Sequence, residues 1–171
     1  IEPSYEEMII IPDNKTDVFL CTYDVNYDTG EYSTKALNSE NKEILTDYAK
    51  VEAISNMDKN NNLWYEKNVL KVQKDGKWGT INLNGEQLLN TEYDSITAIQ
   101  GIENALLIQK DGKYGVANDE GRIILDVVYT EITNLGKDNN AGYIVKDQNG
   151  LYGIVDNSKN VVLANNYQEI Q

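Results

Sequence analysis

The chain has no histidine, one cysteine, two prolines and one phenylalanine. Without histidine it lacks the side chain that titrates nearest neutral pH. The usual general base, the usual triad partner and the commonest metal ligand are absent together. A single cysteine, Cys21, excludes an internal disulfide; it lies in an alternating apolar stretch and reads as a small buried hydrophobe, not a nucleophile. No apolar run approaches the ~20 residues of a membrane-spanning helix. Positive charge is also scarce, with 15 basic against 28 acidic residues and a formal net charge of −13. A polyphosphate backbone requires basic neutralisation, so no nucleic acid is expected as a partner. Anionic membrane surfaces are disfavoured for the same reason. The acidity suits a soluble protein that meets cations or basic surfaces.

What the chain has in quantity is tyrosine, twelve in all, and repetition. Trp78-Gly79, Tyr114-Gly115 and Tyr152-Gly153 recur at intervals of 36 and 38 residues. A turn dipeptide precedes each pair: Asp75-Gly76, Asp111-Gly112 and Asn149-Gly150. Aligning Lys74, Lys110 and Lys146 places the two extra residues of the last copy in its turn, Asp147 to Gly150, where a repeated hairpin tolerates insertion best. A tyrosine with an apolar residue three places on forms a second landmark, at Tyr93/Ile96, Tyr129/Ile132 and Tyr167/Ile170. The same landmark exposes worn copies at Tyr48/Val51 and Tyr5/Met8. A fixed period of this size signals a solenoid, propeller or array.

The GKWG pattern, followed by a short strand, a Gly turn, an apolar run and a Tyr, resembles the WG-repeat (KWG-repeat) family of bacterial proteins over residues 69–170. Tyr replaces Trp in two copies, Ser33 stands where the first copy should carry Gly, and Lys159 replaces the later turn glycine of Gly85 and Gly121. The resemblance implies a β-rich repeat domain used for binding and supplies no catalytic residues.

Residue patterns within each unit agree with strands. Phe19, Cys21, Tyr23, Val25 and Tyr27 alternate with Leu20, Thr22, Asp24, Asn26 and Asp28, which argues a strand with one buried face. Ile9, Ile10 and Ile11 form a β-branched run ended by Pro12 and a turn-like Asp13-Asn14. Asp-Gly and Asn-Gly dipeptides between short apolar runs are hairpin signals. The polar stretch from Ser55 to Asn62 reads as a mobile loop. The fold expected is all-β, an antiparallel meander of about four WG-type repeats in an open, solenoid-like array, with a small closed propeller as the alternative. One domain, 1–171, divides into a repeat tail (1–11), a degenerate repeat (12–54) and three repeats (55–99, 100–135 and 136–171). The first residue is Ile1, inside a repeat tail; the expectation is a piece of a longer, exported protein whose signal or anchor lies outside it.

No motif carries chemistry convincingly. Asp24, Asn26 and Asp28 open like a calcium loop, but Thr29 stands where glycine is needed and Lys35 where the bidentate Glu belongs. The pairs Glu6-Glu7, Glu92 with Asp94, and Asp119-Glu120 lie beside turns and read as solvated charge; a glycoside-acting pair would need a cleft and one raised pKa. No cofactor and no metal are expected. The repeat-locked Trp78, Tyr114 and Tyr152 are expected to stack between successive units or over the next unit's glycine. Tyr93, Tyr129 and Tyr167 are expected to bury their rings and direct their hydroxyls at backbone carbonyls. The off-register Trp64, Tyr65 and Tyr143 are freer to be surface contacts. The leading expectation is a non-catalytic binding or scaffolding module that offers an extended β surface to a protein partner. A cell-wall or glycan-binding module is the alternative, and a glycoside-acting enzyme comes third.

Overall fold

The structure, a computed structural model, describes residues 5–12, 17–136 and 141–170. The turn-like Asp13-Asn14 lies outside the described residues. Among the described residues, sixteen strands form four four-stranded sheets, each antiparallel with neighbours in chain order. The first sheet holds β1 (Glu7–Ile11), β2 (Val18–Asn26), β3 (Glu31–Leu37) and β4 (Glu43–Ile44). The second holds β5 (Lys50–Met57), β6 (Leu63–Lys74), β7 (Lys77–Ile81) and β8 (Gln87–Tyr93). The third runs through β9 (Ser95–Ala98), β10 (Ala105–Lys110), β11 (Lys113–Asn118) and β12 (Ile123–Tyr129). The fourth runs through β13 (Glu131–Asn134), β14 (Tyr143–Lys146), β15 (Tyr152–Val155) and β16 (Val161–Tyr167). The fold is all-β, and among the described residues no sheet closes into a barrel.

The sheets are out of phase with the sequence repeats. Tyr93 ends β8 while Ile96 belongs to β9, so the Tyr/Ile landmark spans the step from one sheet to the next. At each step the chain is held by one backbone bond to the second strand of the new sheet: Ala49 N–H to Gln73 O, Asp94 N–H to Gln109 O, and Thr130 N–H to Lys146 O.

Local chemistry explains the hairpins. Lys74 pairs with Lys77 across a two-residue loop in which Asp75 and Gly76 both take positive φ, the conformation such a loop needs to match strand twist. The outer hairpins use a different device. Asn82 and Asn118 each accept backbone N–H groups two and four residues on through the side-chain oxygen, and Asp156 does the same. In that turn Lys159 takes φ 66°, the conformation that Gly85 and Gly121 supply in the other copies. Asn26 Oδ1 is likewise taken by the N–H groups of Asp28 and Thr29.

The aromatic-glycine pair is explained by the outer strand of its own sheet. Trp78 pairs with Tyr93 and Thr80 with Leu89, so Asn90, Thr91 and Glu92 bulge past Gly79 alone. A Cβ at Gly79 would sit 2.6 Å from Leu89 O and 2.8 Å from the backbone of Asn90 and Thr91. Gly115 and Gly153 meet Leu125 O and Leu163 O, each at 2.7 Å, at the same bulge. The glycine thus admits its own sheet's fourth strand, not a neighbouring unit. In the first sheet Ser33 occupies this place, and β4 is cut to Glu43–Ile44.

Three apolar clusters each lie between two consecutive sheets. Ile11, Val18, Leu20 and Ala36 meet Val51, Leu70, Val72 and Ile81 between the first and second. Ile54, Val69, Leu89 and Tyr93 meet Ile96, Leu106, Ile108 and Ala117 between the second and third. Ile99, Val116 and Leu125 meet Ile132, Tyr143, Val145 and Val155 between the third and fourth. Among the described residues no cluster joins the first sheet to the fourth. This is nearest-neighbour burial, in which each unit covers only the next, and the array is open.

Three local expectations are corrected. Ser55, Asn56 and Met57 belong to strand β5, leaving only 58–62 as a turn. Asn56 is buried because it satisfies the third sheet's entry loop. Its Nδ2 donates to Ile99 O (3.2 Å), Ile102 O (2.9 Å) and Glu66 Oε1 (3.1 Å), and its Oδ1 accepts from Gly101 N–H (3.0 Å). The insertion of the last repeat is also split. Gln109 pairs with Tyr114 over four intervening residues and Lys146 with Tyr152 over five, so the turn gained one residue and Lys146 matches Gln109, not Lys110. The other extra residue lies between Ile132 and Tyr143, since Tyr143 holds the register of Leu106. Finally, burial of the landmark tyrosines fades along the chain: Tyr93 is buried, Tyr129 half-buried and Tyr167 exposed. Among the described residues no carbonyl receives their hydroxyls.

Candidate functional site

Tyr143 is excluded from any surface role, being 2% exposed in the cluster between the third and fourth sheets. Its register with Leu106, an apolar interface position, is the physical reason. Trp64 and Tyr65 are both half-buried on β6 and, as strand neighbours, point to opposite faces. Trp64 pairs with Asn56, and its buried indole N–H has no hydrogen-bond partner among the described residues. Tyr65 packs against the cluster between the first two sheets and lines a groove there.

That groove encloses about 470 Å³. Its apolar lining includes Ile9, Leu20, Val51 and Leu63 with the Tyr65 ring, and Tyr32, Glu52 and Lys71 form its polar wall. Tyr32 donates its hydroxyl to Glu52 Oε1 at 2.7 Å, and Lys71 Nζ sits 2.9 Å from Glu52 Oε2. Both carboxylate oxygens are therefore engaged. Lys50 Nζ lies 3.5 Å from the Tyr32 ring centroid, a cation over an aromatic face. Burial first, then the bond to Glu52 and its charge, pushes the Tyr32 phenol up to about 12. Strand position explains the assembly. Tyr32 holds the place of Trp78 in the first sheet, and Glu52 and Lys71 pair across β5 and β6 of the second. The wall is a contact between sheets built on a repeat-locked aromatic.

Lysines cover aromatic rings elsewhere too: Lys71 over Trp78 at 4.7 Å and Lys146 over Tyr152 at 4.8 Å. Trp78 and Tyr114 do reach the boundaries between successive sheets, but ring-on-ring stacking is not what they make there. Among the described residues the ring pair is Tyr5 with Tyr23, edge to face at 6.4 Å. Cys21 is buried beside the groove, and burial pushes its thiol up, away from the reactive thiolate. Among the described residues no three or more of His, Cys, Asp and Glu stand close enough to hold a metal ion. Among the described residues no helix is long and apolar enough to cross a membrane. Sequence reasoning missed Tyr32, Glu52 and Lys71; the aromatic at the Trp78 position was their one visible signal.

Set against known proteins, the chain matches the WG containing repeat model twice, over residues 78–114 and 114–151. The two matches adjoin and fall within residues 69–170, where the resemblance was drawn. Among solved structures it is similar to one described as "Crystal structure of HIRA(644-1017)", with 9% identity and a TM-score of 0.36. The alignment covers 94% of this chain and 54% of that one, so the chain spans about half its length. Comparison with curated proteins gives no match.

Proposed function

We propose that the chain is a non-catalytic binding module whose groove between the first and second sheets takes an extended, basic segment of a protein partner. The observation that carries this reading is the groove itself, about 470 Å³ with an apolar floor and a few convergent polar groups. Tyr65 supplies a large ring at small entropic loss, the kind of side chain that dominates binding energetics. The net charge of −13 favours a basic partner and speeds its approach. Nucleic acid is disfavoured on the same ground. Catalysis finds little support in this site, because Glu52 has both oxygens engaged and the thiol of Cys21 is buried. The glycan-binding alternative calls for a row of exposed rings, and the exposed aromatics are Tyr27 and Tyr167, far apart in sequence and on different sheets.

The test is fluorescence anisotropy with a library of extended peptides that vary in net charge and apolar content. Basic peptides with one or two apolar anchors bind, binding weakens with salt, and Tyr65→Ala reduces affinity about tenfold or more. Binders indifferent to Tyr65→Ala and Leu63→Asp refute the groove. Retention of the chain on insoluble peptidoglycan, with no peptide bound, favours the glycan reading instead.

A further inference from the structure

A second cavity lies at the boundary between the third and fourth sheets, and its chemistry is different. It encloses about 470 Å³, room enough for a small molecule. Three connections converge on it: the loop into β10 at Asn104, the β11–β12 turn through Asp119, Glu120 and Arg122, and the β15–β16 turn at Asn157. Ile124 and Tyr143, which also line it, belong to the apolar cluster that those two sheets share. The cavity is thus an internal feature and does not depend on the outward face of a terminal sheet.

Two of the turns are fixed by bonds that leave their tips free. Asn118 Oδ1 accepts the N–H groups of Glu120 at 3.2 Å and Arg122 at 2.8 Å. Asn68 Nδ2 reaches from the second sheet to donate to Asp119 Oδ2 at 3.3 Å. Gly121 lies so close to Leu88 that no Cβ fits between them. In the other turn Asp156 Oδ1 accepts the N–H groups of Ser158 and Asn160, each at 2.8 Å, and its Oδ2 accepts from Asn160 Nδ2 at 2.9 Å.

Polar groups without partners stand in this fixed frame. Asn157 Oδ1 is buried and accepts no hydrogen bond among the described residues. Tyr143 is 2% exposed, and among the described residues its hydroxyl has no partner either. Burial alone pushes its phenol up, with no bond or neighbouring charge contributing. Buried polar groups left unpaired are costly, so something entering the cavity supplies the missing bonds. Arg122, the chain's only arginine, makes no ion pair among the described residues. An anion alone would meet Asp119, Glu120 and the net charge of −13; a cation alone would meet Arg122. A molecule that carries both charges finds an opposite group for each, and Ala105 and Ile124 add apolar lining.

We infer that this cavity binds a free α-amino acid with a small apolar side chain, its ammonium held by Asn157 Oδ1 and Glu120 and its carboxylate by Arg122 and the Tyr143 hydroxyl. The site is separate from the groove that Tyr65 lines, and either can fail without the other.

Isothermal titration calorimetry on the whole chain with L-alanine, L-valine and L-leucine is the test. At least one of the three binds, and it raises the melting temperature as a ligand of the folded state does. Its N-acetyl and amide forms, each lacking one charge, bind about tenfold more weakly or worse. Arg122→Gln and Tyr143→Phe each weaken binding about fivefold or more. Both variants melt near wild type, because Arg122 is exposed and the second change removes only an unpaired oxygen. No binding of any of the three at millimolar concentration overturns the inference and leaves a cavity that holds only water. Equal binding of the charge-deleted forms overturns it, and so does binding indifferent to both substitutions. Saturation by glucose with no amino acid bound overturns it as well.

Discussion

Replacing Gly79 by alanine puts one methyl group where the backbone of the outer strand already runs. The added Cβ would stand 2.6 Å from Leu89 O, against about 3.4 Å for ordinary contact, so β8 must retreat by about 0.8 Å. The obstacles are backbone atoms on three consecutive residues, Leu89 to Thr91, and cannot swing aside as a side chain would. Overpacking typically costs about 1–3 kcal/mol, and a rigid obstacle belongs at the upper end. In an open strand the same change would stabilise by about 0.5–1 kcal/mol, because glycine is the poorer residue there. The net expectation is a loss of about 2 kcal/mol, or roughly 4–8 °C in melting temperature for a chain of this size. Amide hydrogen exchange locates the damage: protection falls along β7 and β8 and holds along the pairing of β5 with β6. Gly76→Ala serves as a contrast, since Gly76 has open space around it and carries only the strain of φ 76°; its effect stays in the hairpin loop. If Gly79→Ala is as stable as the parent, with β8 protection intact, the glycine does not exist to admit the outer strand.

Two further outcomes follow from buried polar groups. Asn56→Leu strips partners from the Ile99 and Ile102 carbonyls and the Gly101 N–H, and should destabilise by about 3 kcal/mol in urea unfolding, with the second and third sheets losing protection together. Tyr32 releases its phenolic proton near 12, and its pKa is raised relative to the unfolded chain. Its contribution to stability is therefore complete below about pH 10 and is lost as pH rises through the folded value near 12. Ultraviolet titration of the wild type against Tyr32→Phe should show this late phenol, and Glu52→Gln should move it back toward the ordinary range; a Tyr32 that titrates with the exposed tyrosines contradicts the wall as described.

Strand content, hairpin turns and the repeat were legible because each rests on local signals. Alternation marks a strand, Asp75-Gly76 marks a loop with positive φ, and the aromatic-glycine pair recurs with its register. What escaped depended on contacts distant in sequence. Asn56 lies in a polar run that looks like loop, and only the carbonyls of a segment some forty residues on make it a buried node. Tyr143 was misplaced by one register step, because Lys146 looks like Lys110 while the ladder aligns it with Gln109; a single step moves a side chain to the other face of a strand. The offset between repeat and sheet has a similar cause, since sequence similarity says nothing about where one sheet stops and the next begins. The groove was invisible apart from Tyr65, because Tyr32 comes from one sheet and Glu52 and Lys71 from another.

Above all, the molecule is a linear array in which each sheet is held only by its neighbours. Removing the fourth sheet, residues 131–171, tests it most directly, with far-ultraviolet circular dichroism and amide exchange as the readouts. The remaining chain should keep its β spectrum and its protected β5–β6 pairing, with lower stability and loosened amides in the third sheet alone. Loss of protection in the first and second sheets, or collapse to an unfolded spectrum, would contradict it.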